Sequence, residues 1–101
     1  ALDLLAAEWA RTFATELESD LAREVARNSI NVNCVCPGPT DTPMLQSRPE
    51  NLRAAFLKAI PFRRFAKPQE IADAVLFFAS SRSDYVTGQV MSVSGGLTFA
   101  G

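Results

Sequence analysis

Apolar and polar positions follow a helical period in three stretches of the chain and the pattern of a buried strand in two others. The predicted order is helix, strand, helix, helix, strand. These elements are expected over residues 2–27, 30–36, 49–59, 68–79 and 89–93. Residues 44–49 show no clear period, so we expect a mobile connection there. Helices alternating with strands predict an α/β fold.

The first predicted helix is longer than one small domain needs. Its apolar residues recur at three- and four-residue steps, as on one face of an amphipathic helix. That stripe is formed by Leu2, Ala6, Trp9, Phe13, Leu17, Leu21 and Val25. About 26 residues at about 1.5 Å each span about 39 Å, whereas a domain of about 100 residues has a radius of gyration of about 13 Å. Part of the stripe therefore requires a partner surface.

The two strands are predicted to pair in parallel. More than 50 residues, including two helices, separate them, and parallel neighbours need a long crossover connection, which is normally right-handed. The helix over residues 68–79 is apolar around most of its circumference, so we expect it to be buried on more than one side. Two strands alone do not make a stable open sheet. We therefore expect the edge of a larger sheet, or a chain that gains strands by assembly.

Composition narrows the class of protein. The 101 residues, of which 48% are hydrophobic, suit a single small domain over residues 1–101. A net charge of −1 gives no reason to expect nucleic acid or a membrane surface as a partner. The start at Ala1 shows neither an initiator methionine nor a basic signal segment, so we expect a cytoplasmic protein and a piece of a longer chain.

Cys34 and Cys36 lie two positions apart on the first predicted strand, so their side chains share one face. A C-x-C metal or redox site is one interpretation. The chain has no histidine and no further cysteine, so we favour buried thiols in a reducing compartment and expect no metal site.

The residues best suited to bind a ligand follow the first strand. We expect this strand to end at Pro37-Gly38, because proline has no N–H for a ladder. Thr40, Asp41 and Thr42 then offer hydroxyl, carboxylate and backbone N–H groups just past the strand, where ligands bind in open α/β sheets. The alternative is that these residues only cap the next helix, since Thr and Asp are preferred N-caps. The helix over residues 49–59 is interpreted as a lid beside this loop, or else as a plain surface connector.

Several short motifs follow one another in a fixed order after the long helix. They are residues 31–38 with Thr42, Ile60-Pro61, Arg64-Phe65, residues 68–72, residues 85–89 and Gly95-Gly96. In this order they resemble the C-terminal part of a classical short-chain dehydrogenase/reductase. Residues 92–98 and 37–42 are most similar to the subgroup that includes 2-hydroxycyclohexanecarboxyl-CoA dehydrogenase.

The resemblance implies the C-terminal part of a doubly wound Rossmann fold that binds NAD or NADP. It implies cofactor contacts from Pro37, Gly38, Pro39, Thr40 and Thr42. Pro37 and Gly38 would shape the loop beside the nicotinamide, the Thr40 backbone would bind its carboxamide, and the Thr42 hydroxyl would contact the carboxamide or pyrophosphate. The implied reaction oxidises a secondary alcohol or a hydroxyacyl thioester to a ketone. The implied assembly is a homo-oligomer formed through the long helix and the last strand.

Other parts of the family pattern have no match. The glycine-rich turn and the catalytic serine are absent from this sequence. Counted back from Asn33 without gaps, the Tyr-x-x-x-Lys pair would fall near Ala7 and Arg11, which do not match. If instead residues 1–5 correspond to those just after the lysine, residues are inserted before the strand. Neither alignment gives a catalytic tyrosine, and Tyr85 stands in a different motif. A phenol with a pKa of about 10 needs a nearby cation to exchange protons near neutral pH. We therefore predict no catalytic residue here and an inactive isolated chain; the alternatives to an enzyme portion are a catalytically silent oligomerisation module and a gene fragment without function.

Five basic residues accompany the predicted lid. They are Arg48, Arg53, Lys58, Arg63 and Arg64. Such a group would suit the phosphates of a coenzyme A thioester, although solvated surface is the favoured interpretation because scattered basic residues on a short helix are ordinary.

Overall fold

The structure is a computed structural model that describes residues 16–17 and 19–98. The described part of the first helix, α1, covers residues 16–17 and 19–25. The remaining elements are a 3-10 turn at Ala26–Asn28, β1 at Cys34–Pro37, α2 at Pro43–Gln46, α3 at Glu50–Ala59, α4 at Pro68–Ala79, a 3-10 turn at Ser81–Ser83 and β2 at Val90–Val93.

β1 and β2 form a parallel pair, which confirms the predicted α/β class and strand orientation. The register places Cys34 opposite Val90 and Pro37 opposite Val93. The hydrogen bonding extends past the strand ends, because the Gly38 N–H donates to the Val93 carbonyl at 2.9 Å. The carboxyl ends of both strands therefore lie at one edge of the sheet.

β1 begins at Cys34, although the sequence predicts a strand from Ile30. Before Cys34 one backbone bond remains, from the Gly88 N–H to the Val32 carbonyl at 2.8 Å, and asparagine side chains make further bonds to backbone groups directly. The Asn31 amide donates to the Ser83 and Asp84 carbonyls, at 3.2 Å each. Asn33 donates to the Val86 carbonyl at 3.0 Å. These bonds fasten the approach to β1 onto the approach to β2.

Two helices have the predicted bounds or nearly so. α4 spans the predicted residues 68–79, and α3 begins at Glu50, one residue later than predicted. α2 was not predicted; it lies where a mobile connection was expected. Thr42 is its N-cap, with a side-chain oxygen that accepts from the Leu45 N–H at 3.3 Å, and Pro43 is pre-set for the first turn. Four residues are too few for a helical period to appear in the sequence.

Large apolar side chains remain exposed on three of the described helices, α1, α2 and α4; on α2 the exposed side chain is Met44. On α4, Val75 is 51% and Leu76 is 64% exposed, so the prediction that this helix is buried on more than one side is wrong for that face. On α1, Leu17 is 63% and Leu21 is 47% exposed. The earlier stripe residues, with Trp9 and Phe13 among them, lie outside the described residues.

Buried positions are few in the described chain. Ala22 on α1 and Ile60 after α3 are the buried apolar residues among those described. Cys34 and Cys36 are half-buried rather than buried, and they form no disulfide with each other. None of the described helices is long and apolar enough to cross a membrane.

The start of α4 is fixed by a charged pair. The Glu70 side chain accepts from the Lys67 backbone N–H at 2.9 Å, which is the bond from N3 back to the N-cap in a capping box. Arg64 donates to both carboxylate oxygens of Glu70, at 2.7 and 2.9 Å. The hydrogen bond from Arg64, and then that from Lys67, lower the pKa of Glu70 from 4.5 to about 2. Arg64 is thus an exposed surface residue, as the sequence predicted, and it also makes a specific pair with Glu70.

This pair predicts a measurable titration. Because the folded pKa of Glu70 lies below its ordinary value, the pair stabilises the fold above about pH 4.5 and loses that contribution as the pH falls toward 2. We expect the Arg64→Ala variant to raise the Glu70 pKa most of the way to its ordinary value, as followed by side-chain carbonyl NMR. The Arg63→Ala variant is the matched control and should leave it in place; an unchanged pKa in Arg64→Ala would contradict the assignment.

Candidate functional site

The loop after β1 passes very close to the residue after β2. A Cβ at Gly38 would lie 2.8 Å from both the Cα and the Cβ of Ser94, a contact that real side chains do not make. Ser94 is buried at this point. Gly38 is therefore required for lack of space, and the loop crosses the sheet edge where both strands end.

A second contact holds the other side of the loop. Thr40 forms an isolated parallel bridge with Ala66, the residue two positions before α4. The Asp41 N–H donates to the Ala66 carbonyl at 2.8 Å, and the Ala66 N–H donates to the Pro39 carbonyl at 3.0 Å. Backbone bonds thus fix residues 38–41 on both sides, which keeps the loop in one conformation.

The loop presents hydrogen-bond donors that the described chain does not use. The Thr40 N–H donates to no acceptor among the described residues, while its hydroxyl donates to the Gly38 carbonyl at 2.9 Å. The Thr42 hydroxyl accepts from Leu45, so its own proton remains available. Both threonines are half-buried. Capping and ligand binding are therefore compatible roles for Thr42.

The five predicted site residues are neighbours in the sequence, and the structure places them between the end of β1 and the start of α2. Pro37 ends β1 and is exposed, and Gly38 and Pro39 carry the chain to Thr40. Thr42 completes the set at the start of α2. The segment offers uncharged donors, which suit a carboxamide oxygen or a phosphate oxygen.

An apolar cleft of about 340 Å³ opens beside Thr42. It lies between α2 and α3, and its lining consists of Thr42, Met44, Leu45, Arg48, Leu52 and Phe56. A cleft of this size, mostly apolar with a few polar groups, is typical of a small-molecule site. The predicted lid helix thus borders a space next to the loop.

The five basic residues do not form one anion site. Arg48 lines the cleft, but Arg64 pairs with Glu70. Arg63 donates to the carbonyls of Leu57 and Lys58 at the end of α3. A positive charge available to a ligand of the cleft therefore comes first from Arg48.

Few of the described residues near the loop are suited to transfer a proton or to bind a metal ion. Tyr85 is the chain's one tyrosine; it is fully exposed and lies before β2, at the opposite end of the sheet from the loop. The Cys34 and Cys36 sulfurs lie 3.8 Å apart. Within residues 16–17 and 19–98, no three side chains of the metal-binding types come together.

Sequence reasoning missed Gln46, the last residue of α2. Its amide donates to the Asp41 carboxylate and accepts from Arg53 Nη1 at 3.4 Å. A glutamine in a stretch without periodicity carries no signal of its own. Its role follows only from α2, which turns its side chain toward both partners.

Comparison with known proteins identifies relatives of this segment. A family model described as enoyl-(acyl carrier protein) reductase matches residues 5–98. The chain is 50% identical over 76 residues to 3-oxoacyl-(acyl-carrier-protein) reductase FabG of Thermotoga maritima, an alignment that covers 75% of this chain and 31% of the relative. It is 51% identical over 76 residues to acetoacetyl-CoA reductase of Synechocystis sp., which covers 74% of this chain and 32% of that protein.

A solved structure agrees with these relatives. The crystal structure of 3-oxoacyl-(acyl-carrier protein) reductase from Brucella melitensis superposes with a TM-score of 0.84 at 36% identity, over 88% of this chain and 33% of that one. The chain thus spans about a third of the length of the proteins it matches. Its parallel strands, the loop after β1 and the family match over residues 5–98 together show that the chain belongs to the short-chain dehydrogenase/reductase family.

Proposed function

We propose that this chain is the C-terminal part of an NAD(P)-dependent oxidoreductase domain of the Rossmann type. In this proposal residues 37–42 lie beside the nicotinamide, and α2 and α3 form the lid over the substrate. The single observation that carries it is the pair of unused donors, the Thr40 N–H and the Thr42 O–H, next to an apolar cleft. Their position past the carboxyl end of β1 is where open α/β sheets bind ligands.

The residues present suit a nicotinamide carboxamide. Its oxygen accepts hydrogen bonds, and the Thr40 N–H would donate to it without losing another bond. The Thr42 hydroxyl would donate to the carboxamide or to the pyrophosphate while it continues to cap α2. When bound, the cofactor supplies the hydride chemistry, and the residues of this loop bind and orient it. NAD and NADP both fit this role, because the contacts concern the part that the two share.

The proposed reaction interconverts a secondary alcohol and a ketone, with acyl thioesters as the substrate class. Relatives of this chain are 3-oxoacyl-(acyl-carrier-protein) and acetoacetyl-CoA reductases by name, which favours 3-oxoacyl and 3-hydroxyacyl thioesters. The likeness of residues 92–98 to the 2-hydroxycyclohexanecarboxyl-CoA dehydrogenase subgroup favours a cyclic hydroxyacyl-CoA instead. We propose the linear thioesters as the first class to test and the cyclic one as their competitor.

We assign no proton-transfer group to this segment. The exposed Tyr85 lies at the wrong end of β2, and the sequence holds no histidine. The proposed enzyme therefore obtains its proton-transfer residues and its glycine-rich turn from outside these residues. We also propose a cytoplasmic location, because Cys34 and Cys36 form no disulfide with each other, as is usual in reducing compartments.

The role of Thr42 is tested in a hybrid enzyme, since we expect no turnover from the isolated chain. Residues 30–98 replace the matching segment of the Brucella melitensis reductase, and NAD(P)H oxidation by acetoacetyl-CoA is followed. In the Thr42→Asp variant the carboxylate still caps α2 but has no proton to donate. We expect the KM for NAD(P)H to rise about tenfold to a hundredfold, the scale of a lost hydrogen bond to a charged group.

The matched control is Thr42→Ser, which keeps both the cap and the hydroxyl proton and should stay within about twofold of the parent hybrid. Equal cofactor KM values for the aspartate and serine variants would show that Thr42 only caps the helix. A hybrid that binds no cofactor at all would overturn the proposed function.

The exposed apolar side chains favour a second candidate, an oligomerisation module. Leu17 and Leu21 on α1 are large and exposed. Burying one such side chain in an interface would contribute a free energy of about 1.5–3 kcal/mol. A homo-oligomer through the long helix and the last strand would cover them, most simply with closed two-fold symmetry. The two candidates are compatible, since an enzyme subunit also needs such contacts.

Light scattering of the 101-residue chain tests this second candidate. We expect a dimer or larger assembly at micromolar concentration that the Leu21→Glu variant weakens at least about tenfold, because it places a charge in an apolar contact. The Asn28→Glu variant adds the same charge at an exposed polar position and is the control. A parent chain that is monomeric and folds cooperatively would rule out this module.

A further inference from the structure

Three side chains from three elements form a continuous bridge beside the cleft. Asp41 lies in the loop after β1, Gln46 ends α2 and Arg53 lies on α3. Gln46 Nε2 donates to Asp41 Oδ1, and Arg53 Nη1 donates to Gln46 Oε1 at 3.4 Å. A glutamine amide suits this place because it both donates to a carboxylate and accepts from a guanidinium. If the Gln46 amide were rotated by a half-turn, its oxygen would lie against the Asp41 carboxylate and its NH₂ group against the Arg53 guanidinium. Both contacts would be unfavourable, which supports the orientation described.

The two ends of the bridge are held differently. Asp41 is anchored, because its backbone N–H donates to the Ala66 carbonyl at 2.8 Å. Arg53 is half-buried on α3, and its Nε atom is enclosed without an acceptor among the described residues. The bond to Gln46 is therefore the one that the Arg53 side chain makes with the described chain. Through it, α3 is fastened to the fixed loop.

The bridge joins residues that are next to the two facing walls of the cleft. The cleft walls are Met44 and Leu45 on α2 and Leu52 and Phe56 on α3. Arg53 is next to Leu52 along α3, and Gln46 is next to Leu45 along α2. A bond between the neighbours of two facing walls limits how far the walls can separate. α2 is only four residues long, so it depends on Thr42 at its start and on Gln46 at its end.

We propose that Gln46 is a positioning residue that couples the nicotinamide-side loop to the lid, and so holds the cleft at the width that grips the acyl part of a thioester substrate. This inference rests on the proposed function. Gln46 touches neither cofactor nor substrate; it acts through Asp41 and Arg53. Its loss is expected to weaken thioester binding and to leave cofactor binding unchanged, because the cap on α2 and the Thr40 N–H remain.

A set of variants separates the two halves of the bridge. Gln46→Leu removes both bonds. Gln46→Glu keeps the acceptor for Arg53 but sets a second carboxylate against Asp41. Adding Asp41→Asn to Gln46→Glu restores the contact with donor and acceptor exchanged. The control is Gln69→Leu, which removes a bond of the same type, from Gln69 Nε2 to Asp73 Oδ1 at 2.8 Å on α4.

Hydrogen exchange in the 101-residue chain tests the bridge itself. We expect Gln46→Leu to speed amide exchange over residues 43–59 about threefold to tenfold relative to α4, the factor for one or two ordinary hydrogen bonds. The Asp41→Asn, Gln46→Glu double variant should return to parent rates, and Gln69→Leu should change α4 alone. Parent-like exchange over residues 43–59 in Gln46→Leu would overturn the proposal, whether or not any hybrid enzyme is active.

Kinetics of the hybrid enzyme test the link to the substrate. We expect Gln46→Leu to raise the KM for acetoacetyl-CoA about threefold to tenfold, and kcat and the KM for NAD(P)H to stay within about twofold. The Asp41→Asn, Gln46→Glu double variant should return the KM for acetoacetyl-CoA to the parent value. A uniform loss of active enzyme would mark Gln46 as merely structural and would refute positioning. These outcomes differ from a failure of the proposed function, in which the parent hybrid binds no cofactor and shows no turnover.

Discussion

The parallel ladder between β1 and β2 joins two segments that lie more than 50 residues apart, and the site depends on it. In parallel pairs the carboxyl ends of both strands meet at one edge, so residues after β1 and after β2 become neighbours. The consequence is visible where Gly38 crosses Ser94 without room for a Cβ. An antiparallel pair would have sent the loop and residues 94–98 to opposite edges of the sheet.

From this edge outward, backbone bonds fix the loop, and side-chain bonds connect it to α2 and α3. The Ala66 bridge holds residues 39–41 by two backbone bonds. Beyond them, a hydroxyl cap at Thr42 and an amide bridge at Gln46 hold α2. The Gln46 bonds that fasten α2 and α3 are exposed to solvent, which would suit the proposed lid, since segments that admit a ligand are held by exposed bonds. The cleft between α2 and α3 lies at the boundary between these two parts.

The sequence predicted the structure best where the local pattern of residues alone determines an element. The proline start and the apolar pattern of α4 predicted its bounds, and the strand-length run ending at Pro37-Gly38 predicted the position of the loop. It was less informative where side chains bond to the backbone. Asn31 and Asn33 bond to backbone carbonyls before Cys34, where the sequence predicted regular strand. Thr42 and Pro43 begin a helix that is too short to show a period. The partners of Arg64 and Gln46 required the tertiary structure, because they depend on how separate elements approach one another.

The central claim is that residues 37–42, past the carboxyl end of β1, form the nicotinamide side of a dinucleotide site. The most direct measurement is a crystal structure of the hybrid enzyme with a nicotinamide dinucleotide bound. The account predicts that the carboxamide oxygen accepts from the Thr40 N–H and that the Thr42 hydroxyl donates to the carboxamide or the pyrophosphate. A bound cofactor whose carboxamide and pyrophosphate are both out of hydrogen-bond reach of these two threonines would contradict it.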